Sequence, residues 1–182
     1  MKLLVVVASA TGRTRRMAEA VAEGAREAGA QVLLRAPGET QDADLLEADA
    51  VALGCGVHMG GVASSMVQLF ERAAPLWLAG RLRGKIGAAF VSAGEGEGGG
   101  AELTLLALFA WLAENGMLLV PMHNRSPGFR DAGCHWGPLA RTNPKGGSPG
   151  PTEAQLEACR AHGRHVAECT QRWIAGAAPS GA

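Results

Sequence analysis

Short apolar runs that alternate with helical segments are the feature of this 182-residue sequence that most restricts its fold. The first run, from Lys2 to Ala8, is continuously apolar, which is typical of a strand buried on both faces. Further strands are predicted at residues 31–35, 50–53, 85–92 and 117–122. Helical periodicity predicts helices at residues 13–28, 62–77, 101–114 and 152–174. The alternation predicts one α/β domain, residues 1–182, with a parallel sheet between two layers of helices.

The composition argues against several classes of protein. With 17 basic and 17 acidic side chains the net charge is zero, so we expect no nucleic-acid partner. No apolar run approaches the ~20 residues of a membrane helix, and the run after Lys2 is shorter than the roughly 7–15 residues of a signal peptide. The cysteines form no CxxC pair, so we expect reduced thiols and a cytoplasmic protein without membrane association. They are Cys55, Cys134, Cys159 and Cys169. We expect the last few residues to be disordered.

Glycine-rich segments follow three of the predicted strands, at residues 9–14, 54–61 and 92–100. The carboxyl ends of parallel strands meet at one edge of the sheet, where ligands bind near the switch between strands one and three. Tight turns explain one or two glycines per loop. They do not explain five glycines among the seven residues that begin at Gly94. The three loops therefore predict a ligand site at this edge.

The first loop combines hydroxyl groups, a glycine and positive charge. Its residues are Ser9, Thr11, Gly12, Arg13, Thr14, Arg15 and Arg16. The loop leads directly into a predicted helix, whose free amide groups and dipole favour an anion such as phosphate. Arg15 and Arg16 are equally well explained as solvated side chains. We interpret the loop as a phosphate-binding loop.

Several phosphate-binding classes do not match this loop. The GxxxxGK[ST] and GxGxxG patterns are both absent. Cys55 stands where a receiver domain would have an aspartate. A cysteine phosphatase would have an arginine shortly after its nucleophile, but Gly60 and Gly61 follow Cys55. A hydroxyl-rich phosphate loop with two glycine loops suits a mononucleotide such as FMN.

Two sets of residues carry a resemblance to known families. The pattern Ser9-x-Thr11-Gly12-x-Thr14 resembles the phosphate loop of flavodoxin-like proteins. Segments 54–60, 75–80, 84–85, 92–102 and 115–117 follow in the order seen in WrbA-type NAD(P)H:quinone oxidoreductases, and residues 149–173 also look like theirs. The resemblance covers nearly the whole chain. It implies a flavodoxin-like three-layer sandwich with a five-stranded parallel sheet in the order 2-1-3-4-5.

The resemblance also implies roles for individual residues. The FMN phosphate would be held by Ser9, Thr11, Gly12, Arg13 and Thr14. The isoalloxazine would lie beside Gly56, Val57, His58 and Met59, and the ribityl chain and ring edge beside Ser92, Ala93, Gly94, Glu95, Gly96 and Gly98. Trp77 matches a tryptophan that packs near the flavin of a neighbouring subunit. Asn115 stands where the family has a histidine near the flavin.

This sequence also departs from the family around the flavin ring. At positions 56–59 the family usually has proline, threonine, arginine and phenylalanine. The chain has no tyrosine, so the tyrosine-stacked flavin of true flavodoxins is excluded. His123 and His135 belong to a long aperiodic segment, residues 123–151. Each is either a solvated loop histidine or a residue that reaches the nicotinamide or quinone.

The resemblance favours an FMN-dependent NAD(P)H:quinone oxidoreductase that forms a homo-oligomer, either a dimer or a tetramer. One alternative is a flavodoxin-type electron carrier, although such carriers are usually strongly acidic and this chain is neutral. Another is an NAD(P)H-dependent FMN reductase that releases FMN after each cycle. No metal site is expected, because the candidate ligands on the last helix do not converge on one point. These are Cys159, His162, His165 and Cys169.

Overall fold

The computed structural model describes residues 1–94, 100–142 and 150–176. The strands are β1 (Lys2–Ala8), β2 (Gln31–Arg35), β3 (Ala50–Gly56), β4 (Ile86–Ala93), β5 (Leu118–Leu119), β6 (Gly133–Cys134) and β7 (Gly137–Arg141). The helices are α1 (Arg13–Glu27), α2 (Asp42–Glu47), α3 (Ser64–Arg72), α4 (Ala74–Leu78), α5 (Gly100–Glu114), α6 (Phe129–Ala132) and α7 (Glu153–Gly176). The expectation of a disordered C-terminus falls on residues 177–182, outside the described residues.

The sheet is parallel from β2 through β1 and β3 to β4. Its central strand β1 pairs with β2 on one side and with β3 on the other. Chain order therefore reverses at β1 and β3, which creates the switch point that the sequence predicts. The predicted α/β class is confirmed. We call the edge of the sheet where the parallel strands end the carboxyl edge, and the opposite edge the amino edge.

The predicted five-stranded sheet is wrong in its strand number, because the sheet has seven strands. Two separate segments share the position beyond β4. The short β5 pairs with the start of β4, at Ile86 and Gly87. Strand β7 pairs with its end, from Val91 to Ala93, and β6 adds an antiparallel partner to β7. The predicted strand at 117–122 is therefore only two residues long, and the long aperiodic segment returns to the sheet.

Two apolar layers enclose the sheet. Side chains of β1 alternate between them, so that Val5 packs with α1 and α7 while Val6 packs with helices α2 to α5. Helices α1 and α7 approach closely, because a Cβ on Gly24 would collide with the Arg160 carbonyl oxygen. A Cβ on Gly163 would collide in the same way with the carbonyl oxygen of Val21. The two glycines therefore bring these helices into backbone contact.

Two helix predictions need correction. The single helix predicted at 62–77 is divided into α3 and α4, since Pro75 in the first turn of α4 cannot continue the hydrogen bonds of α3. Helix α2 was not predicted. It starts with a capping box in which Gln41 and Asp44 bond to each other's backbone amide groups. Among the helices of the described ranges, none has the length and apolar character needed to cross a membrane.

Candidate functional site

The three loops predicted to meet at one edge do so around an open cavity of about 200 Å³, here called the edge cavity. It lies where β1, β3, β4 and β7 end. The described residues that line it come from four segments: Ala10, Thr11, Arg13, Thr14, Gly56, Val57, His58, Ser92, Ala93, Gly94 and Thr142. Residues distant in the sequence are therefore brought together by the parallel sheet alone.

The phosphate loop, residues 9–14, leads into a helix whose N-cap residue provides no side-chain cap. Gly12 is the N-cap of α1 and has a φ of 82°, a left-handed conformation that favours glycine. Gly12 has no side chain with which to cap the helix, and the first turn has no acidic residue. The backbone amide of Arg15 donates to Ser9 Oγ at 3.2 Å, which fixes the entry of the loop into the helix. The helix N-terminus thus keeps amide groups available for an anion.

A buried pair of hydroxyl groups forms the floor of the edge cavity. The Thr14 and Ser92 oxygen atoms are 2.7 Å apart and hydrogen-bonded, although the residues are 78 positions apart in the sequence. Gly56 lies against this pair. A Cβ built on Gly56 would be 3.3 Å from Thr14 Oγ1 and 3.7 Å from both Ser92 Oγ and His58 Nε2. The missing side chain therefore leaves a flat, polar surface.

The second loop is a tight turn that projects from the sheet. His58 and Gly61 exchange two backbone hydrogen bonds of 2.9 Å, and Met59 and Gly60 between them both have positive φ angles. This geometry is that of a type I′ turn. The Met59 side chain is fully exposed. Val57 anchors the loop because its amide donates to the Ser92 carbonyl oxygen at 2.9 Å.

The third loop is described only at its start. Ala93 and Gly94 line the edge cavity, whereas Glu95, Gly96 and Gly98 lie outside the described residues. The Ala93 carbonyl oxygen accepts hydrogen bonds from the amide and the hydroxyl group of Thr142, both at 2.9 Å. Sequence reasoning missed Thr142. No local signal identifies it, because its position depends on the pairing of β4 with β7.

Comparisons with known proteins agree with this geometry. A flavodoxin domain model matches residues 4–90. A protein named NAD(P)H dehydrogenase (quinone) from Rhizobium rhizogenes is 34% identical over 96% of this chain and 99% of its own. A protein of the same name from Methylocella silvestris is 36% identical over 92% of this chain and 96% of its own. The chain belongs to the NAD(P)H dehydrogenase (quinone) family. The resemblance drawn from the sequence is confirmed.

A solved structure adds the fold of this family. The crystal structure of the flavodoxin, WrbA-like protein from Agrobacterium tumefaciens superposes with a TM-score of 0.74 and is 26% identical. The match covers 94% of this chain and 98% of that protein. The flavodoxin-like three-layer sandwich is therefore confirmed for this NAD(P)H dehydrogenase (quinone) family member.

The three arginines of the first turn of α1 have different surroundings. Arg13 lines the edge cavity. Arg15 forms an ion pair with Glu19, with its Nε atom 3.0 Å from Oε1. Arg16 is exposed on the helix surface. Only Arg13 therefore stands where a cation would face a phosphate in the edge cavity.

Trp77 and Asn115 lie at the amino edge, away from the edge cavity of their own chain. Helix α5 begins at the carboxyl edge and runs for 15 residues, about 22 Å, before it reaches Asn115. The Trp77 indole donates to the Glu114 carbonyl oxygen at 3.1 Å. Phe70 and Trp111 stack there with ring centroids 4.7 Å apart. These residues surround a cavity of about 210 Å³, here called the aromatic cavity.

Asn115 is a buried polar residue in the wall of the aromatic cavity. It is 6% exposed, and its Nδ2 atom donates to the Trp111 carbonyl oxygen at 2.9 Å. Its Oδ1 atom is buried and has no hydrogen-bond partner among the described residues. Asn115 and Trp77 line the aromatic cavity and not the edge cavity of the same chain.

His135 belongs to a second cavity at the sheet edge, here called the arginine cavity. Its volume is about 490 Å³. The residues that line it are Glu102, Phe129, Arg130, Asp131, Ala132, Gly133, Cys134, His135, Leu139 and Arg141. His135 Nδ1 is 3.2 Å from the Met122 carbonyl oxygen. His123 is exposed and lines neither cavity; its Nδ1 accepts a hydrogen bond from the Arg125 amide at 3.1 Å.

Cys55 is placed as a structural thiol beneath the second loop. Its Sγ atom donates to the Gly56 carbonyl oxygen at 3.0 Å and accepts from the Ala63 amide at 3.3 Å. Burial raises the pKa of this thiol, and the hydrogen bond from Ala63 lowers it by less. Cys55 therefore remains a protonated thiol that holds the loop.

The cysteines and histidines of α7 separate into buried and outer positions. Cys159 and His162 are buried, while Cys169 Sγ lies 3.7 Å from His165 Nε2 on the outer side. Across residues 1–94, 100–142 and 150–176, no three histidine, cysteine, aspartate or glutamate side chains form a group that could hold a metal ion. Burial lowers the pKa of His162 to about 3, so that this ring is neutral at physiological pH.

Proposed function

We propose that this protein is an FMN-dependent NAD(P)H:quinone oxidoreductase that reduces quinones by two electrons. The observation that carries the proposal is the edge cavity, in which a helix N-terminus, two bonded hydroxyl groups and an unsubstituted glycine face one space. The reaction is inferred from the name of two relatives, NAD(P)H dehydrogenase (quinone). The cofactor, FMN, is inferred from the geometry of the three loops.

The residues of the edge cavity fit FMN in charge and in shape. A phosphate monoester needs several hydrogen-bond donors and a positive field, which the phosphate loop and the N-terminus of α1 offer. An aromatic ring needs a flat wall, which Gly56 provides because a Cβ there would press on Thr14 and Ser92. The chain has no tyrosine with which to cover the ring.

Bound FMN would supply the two-electron redox chemistry that couples NAD(P)H oxidation to quinone reduction. The chain's own task is to bind and to orient. We assign the phosphate to Ser9, Thr11, Gly12, Arg13 and Thr14, and the ring to Gly56, Val57, His58 and Met59. The exposed His58–Gly61 turn leaves access to the cavity from solvent, as both substrates require.

Substitution of the exposed Thr11 tests the phosphate assignment. Thr11→Glu should abolish FMN binding, because a carboxylate would repel the phosphate at the helix N-terminus. Thr11→Gln is the matched control, since it has nearly the same size without the charge and should keep most of the flavin. The measurement is flavin absorbance per protein after purification and dialysis. Equal flavin content in the two variants would contradict the assignment.

Steady-state kinetics test the reaction itself. With NADH or NADPH and benzoquinone, we expect turnover and parallel lines in double-reciprocal plots, because one open cavity serves the two substrates in turn. A flavodoxin-type carrier would show negligible turnover under these conditions. An FMN reductase would lose its flavin on dilution and would depend on added FMN. The FMN-loaded protein should therefore be assayed with and without free FMN.

We further propose a homo-oligomer, and among the closed assemblies a tetramer, in which Trp77 approaches the flavin of a neighbouring subunit. The amino edge supports this because Trp77 is 44% exposed and Leu78 is 75% exposed beside the aromatic cavity. Asn115 lies in the wall of the same cavity. Sedimentation velocity at micromolar concentration should give one species larger than a monomer; a monomer would refute this part.

The proposed location is the cytoplasm. The four cysteines are free thiols, and the two at positions 55 and 159 are buried where oxidants have no access. Reduced thiols of this kind suit a reducing compartment, and NAD(P)H is available there. Cell fractionation with labelling of the native protein tests the location.

A further inference from the structure

The arginine cavity has no part in the proposed FMN site, although it is larger than the edge cavity. Its volume is about 490 Å³, compared with about 200 Å³ for the edge cavity. Arg130 and Arg141 line it, and neither guanidinium forms an ion pair within the part of the chain that the structure describes. Guanidinium groups bind phosphate oxygens in a bidentate manner. The cavity thus offers two cations to an anionic ligand.

The rest of the wall suits a nucleoside. The rings of Phe129 and His135 are 5.1 Å apart and tilted by 45°, which leaves aromatic surface for a base to stack on. Glu102 and Asp131 add carboxylates to the same wall. A carboxylate only accepts hydrogen bonds, and the hydroxyl groups of a ribose donate them. The cavity therefore offers guanidinium groups for the phosphates, aromatic rings for the base and carboxylates for the ribose.

One strand links the two cavities. Side chains alternate along β7, so Leu139 and Arg141 face the arginine cavity. Thr142, the next residue, lines the edge cavity. Arg141 also pairs with Ala93, which lines the edge cavity too. A ligand that spans this strand end can occupy both cavities at once.

We propose that the arginine cavity binds the adenosine diphosphate half of the nicotinamide dinucleotide. The inference rests on the proposed function, which makes NAD(P)H a substrate. The guanidinium groups of Arg130 and Arg141 bind the diphosphate, and the pair Phe129 and His135 stacks on the adenine. The nicotinamide half then extends over the end of β7 to the edge cavity. FMN and the dinucleotide use different phosphate sites.

Binding of ADP to the FMN-loaded protein tests the cavity without turnover. Bound FMN prevents ADP from using the phosphate loop. We expect titration calorimetry to show ADP binding that weakens at least tenfold in Arg130→Gln and in Arg141→Gln. Arg26→Gln is the matched control, because Arg26 is an exposed arginine in the last turn of α1, outside both cavities. It should bind ADP as the unmodified protein does.

Kinetics with two reductants test the link to the reaction. With NADH, both cavity variants should raise KM about tenfold and leave kcat nearly unchanged. Reduced nicotinamide riboside lacks the whole adenosine diphosphate half, so its kcat/KM should be the same in variants and unmodified protein. NADH turnover without ADP binding, and with equal KM values in all variants, would overturn this inference and leave the proposed function intact. ADP binding without NADH turnover would overturn the proposed function and leave a nucleotide site.

Discussion

The two edges of the sheet differ in the chemistry that they expose. The carboxyl edge has hydroxyl groups, glycines and a helix N-terminus around the edge cavity. The amino edge has stacked aromatic rings and a buried amide around the aromatic cavity. The first set suits a charged cofactor that is held by one chain. The second set suits contact with another protein chain, so in the proposed oligomer one subunit would offer half of a site at each edge.

The largest expected effect concerns the carboxyl edge. Gly56→Val should reduce FMN affinity at least a hundredfold, because the new side chain fills the space in front of Thr14 and Ser92. Gly176→Val is the matched control, since a Cβ on the exposed Gly176 at the end of α7 meets nothing within 4 Å. Fluorescence titration of the apoprotein with FMN measures the affinity. Similar dissociation constants for the two variants would break the assignment of the carboxyl edge.

The next effect concerns the amino edge. Leu78→Glu should weaken subunit association about a hundredfold, because it places a charge on a side chain that is 75% exposed in the monomer beside Trp77. Leu103→Glu is the comparison, since Leu103 is 61% exposed but lies in the first turn of α5 near the carboxyl edge. Sedimentation equilibrium measures the association constant. An oligomer weakened by Leu103→Glu alone would move the interface to the other edge.

A third prediction concerns the interior between the two edges. Both ring nitrogens of His162 are buried without partners among the described residues, and burial lowers the pKa to about 3. An unfolded histidine has a pKa of about 6.5, so the unfolded chain binds the proton more tightly. The contribution of His162 to the free energy of unfolding is therefore complete above about pH 6.5 and decreases as the pH falls towards 3.

The expected size of this decrease is about 2 kcal/mol between pH 7 and pH 5 for this one group. His162→Leu should remove that part of the pH dependence, whereas His123→Leu, at an exposed position outside α7, should not. Urea unfolding at the two pH values gives both free energies. Unchanged pH dependence in His162→Leu would show that the ring finds a partner in solution. The flavin content should be the same in both variants. This result would show that the stability effect in the interior is independent of the FMN site at the carboxyl edge.

The smallest expected effect concerns the pair of hydroxyl groups on the floor of the edge cavity. Ser92→Ala removes one member of the hydrogen bond to Thr14 and should lower FMN affinity about fivefold, roughly 1 kcal/mol. Ser64→Ala, at an exposed position at the start of α3, is the matched control. The same fluorescence titration measures both. A loss as large as that of Gly56→Val would show that the hydroxyl pair matters as much as the flat wall.

Local sequence patterns were sufficient to predict most of the fold. The predicted bounds of β1 and β2 equal those of the structure, because each strand is an apolar run with glycine or polar residues beside it. The unpredicted α2 begins at Gln41, which is an uncommon N-cap residue, and it is too short for a clear apolar stripe. The division of the fifth strand position was not predictable, since the pairing of β4 with β5 and β7 is decided by tertiary contacts.

The residues of the candidate site likewise differ in whether the sequence could predict them. The phosphate loop and the loop after β3 could be located because strand, glycine and helix follow one another within a few residues. Thr142 could not be located, since it reaches Ala93 only through a contact across 49 positions. Trp77 and Asn115 were linked to the flavin by resemblance alone. Both residues line the aromatic cavity at the amino edge, so in the proposed oligomer the link is made through a second chain, which no pattern within one chain reveals.

The shared strand position beside β4 has a consequence for how this protein can diversify. Strands β5 and β7 anchor the chain at the two ends of β4, and residues 120–136 make an excursion between these anchors. Mutation or insertion within the excursion would reshape the wall of the arginine cavity and leave the hydrogen bonds of the central sheet in place. In the proposed use of this cavity, selection can change the binding of the reductant through one surface segment, independently of the cofactor loops.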